Sequence, residues 1–535
     1  MDFRSDFFSL APARESPKCN FVNSNTALIA DDQSVLGRAK SGSSHAEEAR
    51  LQVSPDLDPK RRSEFGQFMT PASVASFMAG LFEELPDSIR LLDAGAGMGA
   101  LTAAFVDHVC GLDKLPTTLD VTTFEVDTVL AERLERTLLA CADQCEAVGI
   151  NFSSRIIRDD YLLHSSEPLM SGREQYDCAL LNPPYAKINS GSKSRAALRT
   201  LGIETSNLYA AFVAVALGQM VRRGQLVAIT PRSFCNGRYF DPFRKLLVEQ
   251  AAFRQIHVYE SRKKAFADDS VLQENIIYRL VKGELQPATV TITSSAGPND
   301  EKIARRMVPF AEVVRPNDPH RYIHLAISDA DSVLAERVRA LPCSLKDLGV
   351  TVSTGRVVDF RARDQLRKEP ELGAVPLIYP AHFDNGFVSW PRPGFRKHNA
   401  LMLDDYTADQ VVPRGTYVLT KRFTSKEEKR RLVAVIYDPV RIDAAHVGFE
   451  NHLNYFHENG AGLPADFARG LALFLNSTAV DQYFRMFSGH TQVNATDLRN
   501  LHYPTREQLA AAGNAYGETL PSQEKIDEAV ETLFS

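Results

Sequence analysis

The tetrapeptide Asn182-Pro183-Pro184-Tyr185 closes the segment that starts at Tyr176, whose run from Cys178 to Leu181 is apolar, short and bounded by breakers. Such a run suits a central strand of a parallel sheet better than a helix. The prolines fix φ near −65° and bias the residue before them to extended geometry, so Asn182 and Pro183 are held rigidly just past the strand. In open α/β sheets, ligands bind beyond the carboxyl ends of the strands. There the tetrapeptide offers an amide side chain, a proline carbonyl with no N–H of its own residue to engage, and an aromatic face.

Three acids at the ends of other strands point to the same place. The segment LLDAGAGMGAL sets Gly95, Gly97 and Gly99 before a helix, so the backbone can approach a ligand closely, with Asp93 as a fixed negative charge at the turn. Glu125, in TFEVD, stands where an acid binds the two ribose hydroxyls of a nucleoside. It lies 30 residues beyond Gly95, against roughly 20 in dinucleotide sites. The loop GLDKLPTTLD accounts for the excess. Asp160 can accept from an adenine amino group, and Tyr161 can pack on the base. Singly, each acid reads as a solvated loop residue; three successive strand ends followed by the tetrapeptide read as a site.

The elements that must position these residues alternate between strand and helix. From Lys60 the pattern tightens: TPASVASFMAGLFEEL opens with Thr70 as N-cap and Pro71 at the first helical position. IRLLDAG, DVTTFEVD, SSRIIRDDYL, YDCALLNPPY and GQLVAITP follow as strands. ALTAAFVDHV, VLAERLERTLLACADQ and an apolar segment from Leu208 lie among them as helices. Strand and helix in alternation predict an α/β, doubly wound parallel sheet. The segment 284–330 reads as a strand-bearing connection with a turn. We expect a flexible leader over 1–57, a catalytic domain over 58–330, a second, turn-rich mixed α/β domain over 331–505 and a helical tail over 506–535.

Composition narrows the class. With 44% hydrophobic and 24% charged residues the chain reads as globular, and with a formal net charge of −6 any nucleic-acid contact must come from local basic patches. Seven scattered cysteines without ligand-like pairing predict reduced thiols and no metal site. The apolar run LYAAFVAVALGQM is shorter than the roughly 20 residues of a membrane span, and the N-terminus lacks the apolar stretch of a signal peptide. The expectation is a cytoplasmic protein with no membrane partner.

Taken together, GQFMTP, LDAGAGMG, FEVD, RDDYL and NPPYAKI resemble the S-adenosylmethionine-dependent DNA adenine-N6 methyltransferases whose target-recognition domain is C-terminal. The resemblance covers residues 60–283 most strongly. STGRVVDFRA and SGHTQVNATDLRNLHYP in the second domain are similar to modification methylases of type II restriction systems of the BsuBI/PstI kind. It implies a Rossmann-like catalytic domain, S-adenosyl-L-methionine as cofactor and double-stranded DNA as partner. It also implies a monomer, a palindromic recognition site and a cognate restriction endonuclease that acts separately.

Residue by residue, the resemblance implies that Asn182 and the Pro183 carbonyl accept the two amino hydrogens of a flipped adenine, with Tyr185 against its face. A second ring is expected in TPRSFCNGRYFDPFRKLL, with Phe240 favoured over Tyr239. Thr70 and Phe68 would fold over the methionine part of the cofactor. Asp93 would meet its amino group, Glu125 the ribose and Asp160 the adenine amino group, while Val126, Tyr161 and Pro184 flank the adenine; Gly95 and Gly97 form the turn beneath. For DNA we expect Lys187, Lys193, Arg195 and Arg199 in a Ser/Gly-rich loop, and Lys421, Arg422, His490, Gln492 and Asn494 in the second domain. Rival readings are amino-methylation of RNA or of protein glutamine, or a catalytically silent DNA-binding protein.

Overall fold

The computed structural model describes residues 20–21, 41–53, 69–167, 175–259, 274–300, 302–424, 428–489, 491–514 and 516–534. Two compact units divide the chain: Met1–Pro231 with Lys245–Arg305, and Arg232–Arg244 with Arg306–Ser535.

The first unit is built on a sheet of β1 (Asn20–Phe21), β2 (Ser88–Ala94), β3 (Thr118–Phe124), β4 (Asn151–Ile157), β5 (Tyr176–Leu181), β6 (Met220–Pro231), β7 (Ala251–Tyr259), β8 (Asn275–Lys282) and β9 (Thr289–Ser295). Their order is β1-β4-β3-β2-β5-β6-β8-β7-β9. The predicted parallel core spans β4 to β6, while β8 runs antiparallel to both β6 and β7. The order reverses at β2, which pairs with β3 on one side and β5 on the other, so the carboxyl ends of these strands frame the crevice where such sheets bind ligands. Leu91, Leu119, Val121, Cys178 and Leu180 are fully or nearly fully buried, as near-continuous apolar strands covered on both faces should be.

The leader departs from expectation. Gly42–Val53 is a helix, and its Ala46 and Arg50, one turn apart, are buried. Ala49 packs on the cluster of Met69, Met98 and Leu130, and a Cβ on Gly42 would come within 2.7 Å of the Cys141 sulfur. Small residues make this contact face, so no run of large apolar side chains advertises the helix. The next helix is also shorter than predicted. It covers Ala72–Ala79, with Pro71 and not Thr70 at the N-cap position.

The second unit begins earlier than expected, at Arg306, and takes in 232–244. Side chains donating to distant carbonyls tie that segment in. Arg232 donates to the Arg485 and Met486 carbonyls, and the fully buried Arg244 donates to those of Phe234, Gly237 and His320. Such long-range backbone contacts leave no periodic trace in sequence. One six-stranded and one five-stranded sheet form the unit's β part. The predicted tail is integral to its helical core: Leu509, Ile526 and Val530 share a cluster with Phe467, Leu471 and Phe474, and a Cβ on Gly470 would overlap the Leu509 carbonyl. No helix among the described residues is long and apolar enough to cross a membrane.

Candidate active site

β2 delivers Asp93 fully buried, with one carboxylate oxygen accepting from the Thr102 hydroxyl at 2.7 Å. Its other oxygen has no hydrogen-bond partner among the described residues. Burial pushes the Asp93 carboxyl up to about 7, with the nearby Glu125 charge adding to the shift and the Thr102 hydrogen bonds opposing it. A buried acid with an orphaned oxygen costs stability unless a cation or donor reaches it, which suits a ligand ammonium.

The glycine turn after Asp93 has Gly95, Gly97 and Gly99 at φ of +79°, +57° and +87°. At Gly99 any Cβ would also meet Leu134 at 2.8 Å, so both backbone and packing exclude a side chain. The turn points the Gly97 N–H at Glu125, whose two oxygens accept from Gly97 N at 2.9 Å and Asp127 N at 2.8 Å. Burial also raises the Glu125 carboxyl to about 7, against the pull of those backbone hydrogen bonds. Each oxygen keeps a second lone pair for a ligand hydroxyl.

Asp160 caps the short helix Tyr161–Ser165 through Leu163 N, at 2.9 Å. Tyr161 departs from expectation. Its ring is turned into the core against Phe124 and Phe212, and its hydroxyl donates to Gln219 at 2.7 Å, so it supports the pocket wall instead of presenting a face. The helix beginning at Tyr161 carries the ring inward. Val126, 50% exposed, and the half-buried Pro184 remain open as candidate adenine walls.

At the end of β5 the Asn182 amide is held from both sides. Its Nδ2 donates to the Thr70 hydroxyl at 2.9 Å, and its Oδ1 accepts from the Tyr185 hydroxyl at 3.0 Å. Burial raises the Tyr185 phenol above its ordinary value, so it stays protonated and donating. Among the described residues nothing donates to the Pro183 carbonyl. Thr70, Gly95, Gly97 and Asn182 line one cleft, joined by Ala46 and Arg50 of the leader helix. Sequence reasoning missed both. The one available signal was the i,i+3 pair in which the Arg50 guanidinium grips Glu47 at 2.9 and 2.8 Å.

The expected DNA contacts are placed less uniformly. The Ser/Gly-rich segment is helical over Lys193–Thr200, capped by Ser192; Arg195 and Arg199 face Glu204, while Lys187 and Lys193 are exposed. In the second unit Lys421 and Arg422 lead into Phe423, which bridges Gln492 in antiparallel fashion. The Arg422 guanidinium sits 5.5 Å over the Phe423 ring, itself 41% exposed. Asn494 instead caps the helix Ala495–Arg499 with Asp497. Phe68 and His490 lie outside the described residues. Phe240 is 4% exposed and Tyr239 81% exposed, which reverses their expected ranking, because a stacking ring must have a face to offer.

Comparison with known proteins gives the chain's family. Residues 109–266 match the Eco57I restriction-modification methylase family. The chain is 47% identical over 480 residues to the type II methyltransferase M.PstI of Providencia stuartii, covering 89% of this chain and 94% of that protein. It is 42% identical over 498 residues to M.BsuBI of Bacillus subtilis, covering 91% and 97%. Among solved structures, the type IIL restriction-modification enzyme MmeI in complex with DNA is similar in fold, with TM-score 0.53 at 12% identity over 91% of this chain and 74% of that one. The orphaned Asp93 oxygen, the glycine turn and the buried Glu125 fit S-adenosylmethionine as cofactor. The chain belongs to the type II DNA methyltransferases of restriction-modification systems.

Proposed function

We propose that the protein transfers a methyl group to the N6 atom of one adenine within a short specific sequence of double-stranded DNA. The observation that carries this reading is the Asn182 amide, oriented by Thr70 and Tyr185 beside a free Pro183 carbonyl. Two acceptors at one strand end match the two hydrogens of an exocyclic amino group. Its lone pair is delocalised into the base and is a poor nucleophile. Accepting both hydrogens pulls the nitrogen toward tetrahedral character and stabilises the charge it gains, so positioning and electrostatics replace a strong base. S-adenosylmethionine supplies the electrophilic sulfonium methyl when bound. Asp93 holds its ammonium, Glu125 the ribose hydroxyls and Asp160 the adenine amino group, with Val126 and Pro184 against the ring.

A base within a duplex cannot reach such a cleft, so the nucleotide is flipped out at a cost of a few kcal/mol, offset by aromatic stacking of about 1–3 kcal/mol per base. Tyr185 supplies one ring. Exposure favours Tyr239 over Phe240 as the second. We assign sequence reading to the second unit, with Lys421, Arg422 and Gln492 as contacts, and Lys187 and Lys193 to phosphates. The protein acts in the bacterial cytoplasm as a monomer beside a separate cognate endonuclease. Incubating unmethylated plasmid with the protein and cofactor, then reading single molecules for N6-methyladenine, tests the reading. Modified adenines confined to one short motif are expected; methylcytosine, or unmodified DNA with cofactor bound, would overturn it.

A further inference from the structure

The second unit carries a cavity of about 270 Å³ whose charged walls are mainly basic. Arg315, Arg499 and His502 line it together with Tyr322, Phe487 and His324. Neither Arg315 nor Arg499 forms an ion pair with any described carboxylate, and the same holds for Arg339, close enough to depress both Arg315 and His324. The acid on the rim, Asp318, attracts the Arg315 guanidinium but forms no ion pair with it. Its two oxygens are oriented by its own turn, accepting from His320 N at 2.9 Å and Tyr322 N at 2.7 Å.

Arg315 Nε and Nδ1 of His324, a residue only 8% exposed, are buried without a hydrogen-bond partner among the described residues. Arg315 donates elsewhere only to the Tyr483 hydroxyl, and Arg499 to the Val352 carbonyl at 2.7 Å. Burial, and then repulsion from Arg339, hold the Arg315 guanidinium down to about 10. Unpaired cations and an orphaned guanidinium N–H around one cavity are unfavourable until an anion with several acceptor oxygens enters. Arginine forks match a tetrahedral oxyanion.

We propose that this cavity binds a phosphate group. The phosphate belongs either to the DNA backbone, a source that rests on the substrate reading above, or to a free phosphate or phosphate ester. The test uses the full-length protein, inorganic phosphate titrated at constant ionic strength against chloride, and duplex DNA bound across a salt series. Arg499→Gln is the first variant, since this exposed side chain leaves the core untouched; Arg315→Lys keeps the charge and removes the fork. Phosphate should raise the melting temperature of the wild type, and Arg499→Gln should weaken its binding roughly tenfold, the loss of a charge-assisted hydrogen bond.

The DNA arm separates the sources. A backbone phosphate in the cavity makes the slope of log Kobs against log salt shallower by about 1 in the variant. Lost phosphate binding with an unchanged slope assigns the site to a free phosphate compound. No phosphate effect on the wild type, together with an unchanged slope, would overturn the proposal. Failure to bind DNA at all would sink the substrate reading and leave the phosphate arm as the deciding one.

Discussion

The Asn182 amide nitrogen donates to the Thr70 hydroxyl at 2.9 Å across a sequence separation of 112 residues. Thr70 was expected to cap a helix and cover the cofactor. It lines one cleft with Gly95, Gly97 and Asn182, and it accepts from the Asn182 amide, which we propose is catalytic. Thr70→Val removes the hydroxyl that the amide nitrogen donates to and loosens its orientation. We expect kcat to fall about tenfold, the loss of one buried hydrogen bond, with a smaller change in KM for DNA. Thr70→Ser restores the hydroxyl and should restore the rate. Single-turnover methylation of a cognate duplex decides; equal losses in Thr70→Ser and Thr70→Val would show that packing matters, and not the hydrogen bond.

Asn182→Ala removes one of the two acceptors. Turnover should drop by on the order of a hundredfold or more, as for loss of a preorganised polar contact in a dry site. Cofactor affinity, measured by calorimetry, should stay within a few-fold of wild type. A variant that methylates at the wild-type rate would remove Asn182 from the mechanism.

The proposed role of Asp93 predicts a pH dependence. Its carboxyl is raised to about 7 in the folded protein, against about 3.9 in an unfolded chain. The folded state therefore binds the proton more tightly between these values. The stability this contributes is complete below about pH 4 and is lost as pH rises through 7. Glu125, also raised to about 7, adds a contribution of the same sign. If Asp93 pairs with the cofactor ammonium as proposed, only its ionised form does so, and affinity should weaken as pH falls below 7. Asp93→Asn should be more stable than wild type at pH 8 without cofactor, by up to a few kcal/mol, and bind cofactor poorly. Denaturation and calorimetry across pH 5 to 9 test both halves; a wild-type affinity independent of pH would refute the ionic role.

Much of this was legible in sequence because it is written in periodic patterns and local breakers. The strands ending at Ala94, Phe124, Ile157 and Leu181 finish in buried residues followed closely by glycines, acids or prolines, and they set the sheet and its crevice. What sequence did not disclose depends on orientation or distant pairing. The ring of Tyr161 faces inward because a helix starts there, which residue type alone does not determine. The leader helix buries small residues, and segment 232–244 joins the second unit through arginines reaching backbone carbonyls far along the chain.

The adjacent rings Tyr239 and Phe240 give the sharpest contrast. Phe240 is 4% exposed and Tyr239 81% exposed, so the two substitutions should fail in different ways. Phe240→Ala opens a cavity and should cost about 3–5 kcal/mol of stability, seen as a lower denaturation midpoint. Tyr239→Ala should leave the midpoint within about 0.5 kcal/mol of wild type, as for surface substitutions generally. If Tyr239 stacks on the flipped base, its loss removes about 1–3 kcal/mol of stacking. The fluorescence of 2-aminopurine at the target position should then change, and methylation at limiting DNA should slow, while Tyr239→Phe keeps the ring and both signals. A normal fluorescence response in Tyr239→Ala would move the stacking role elsewhere, and a folded Phe240→Ala protein with a lost response would return it to Phe240.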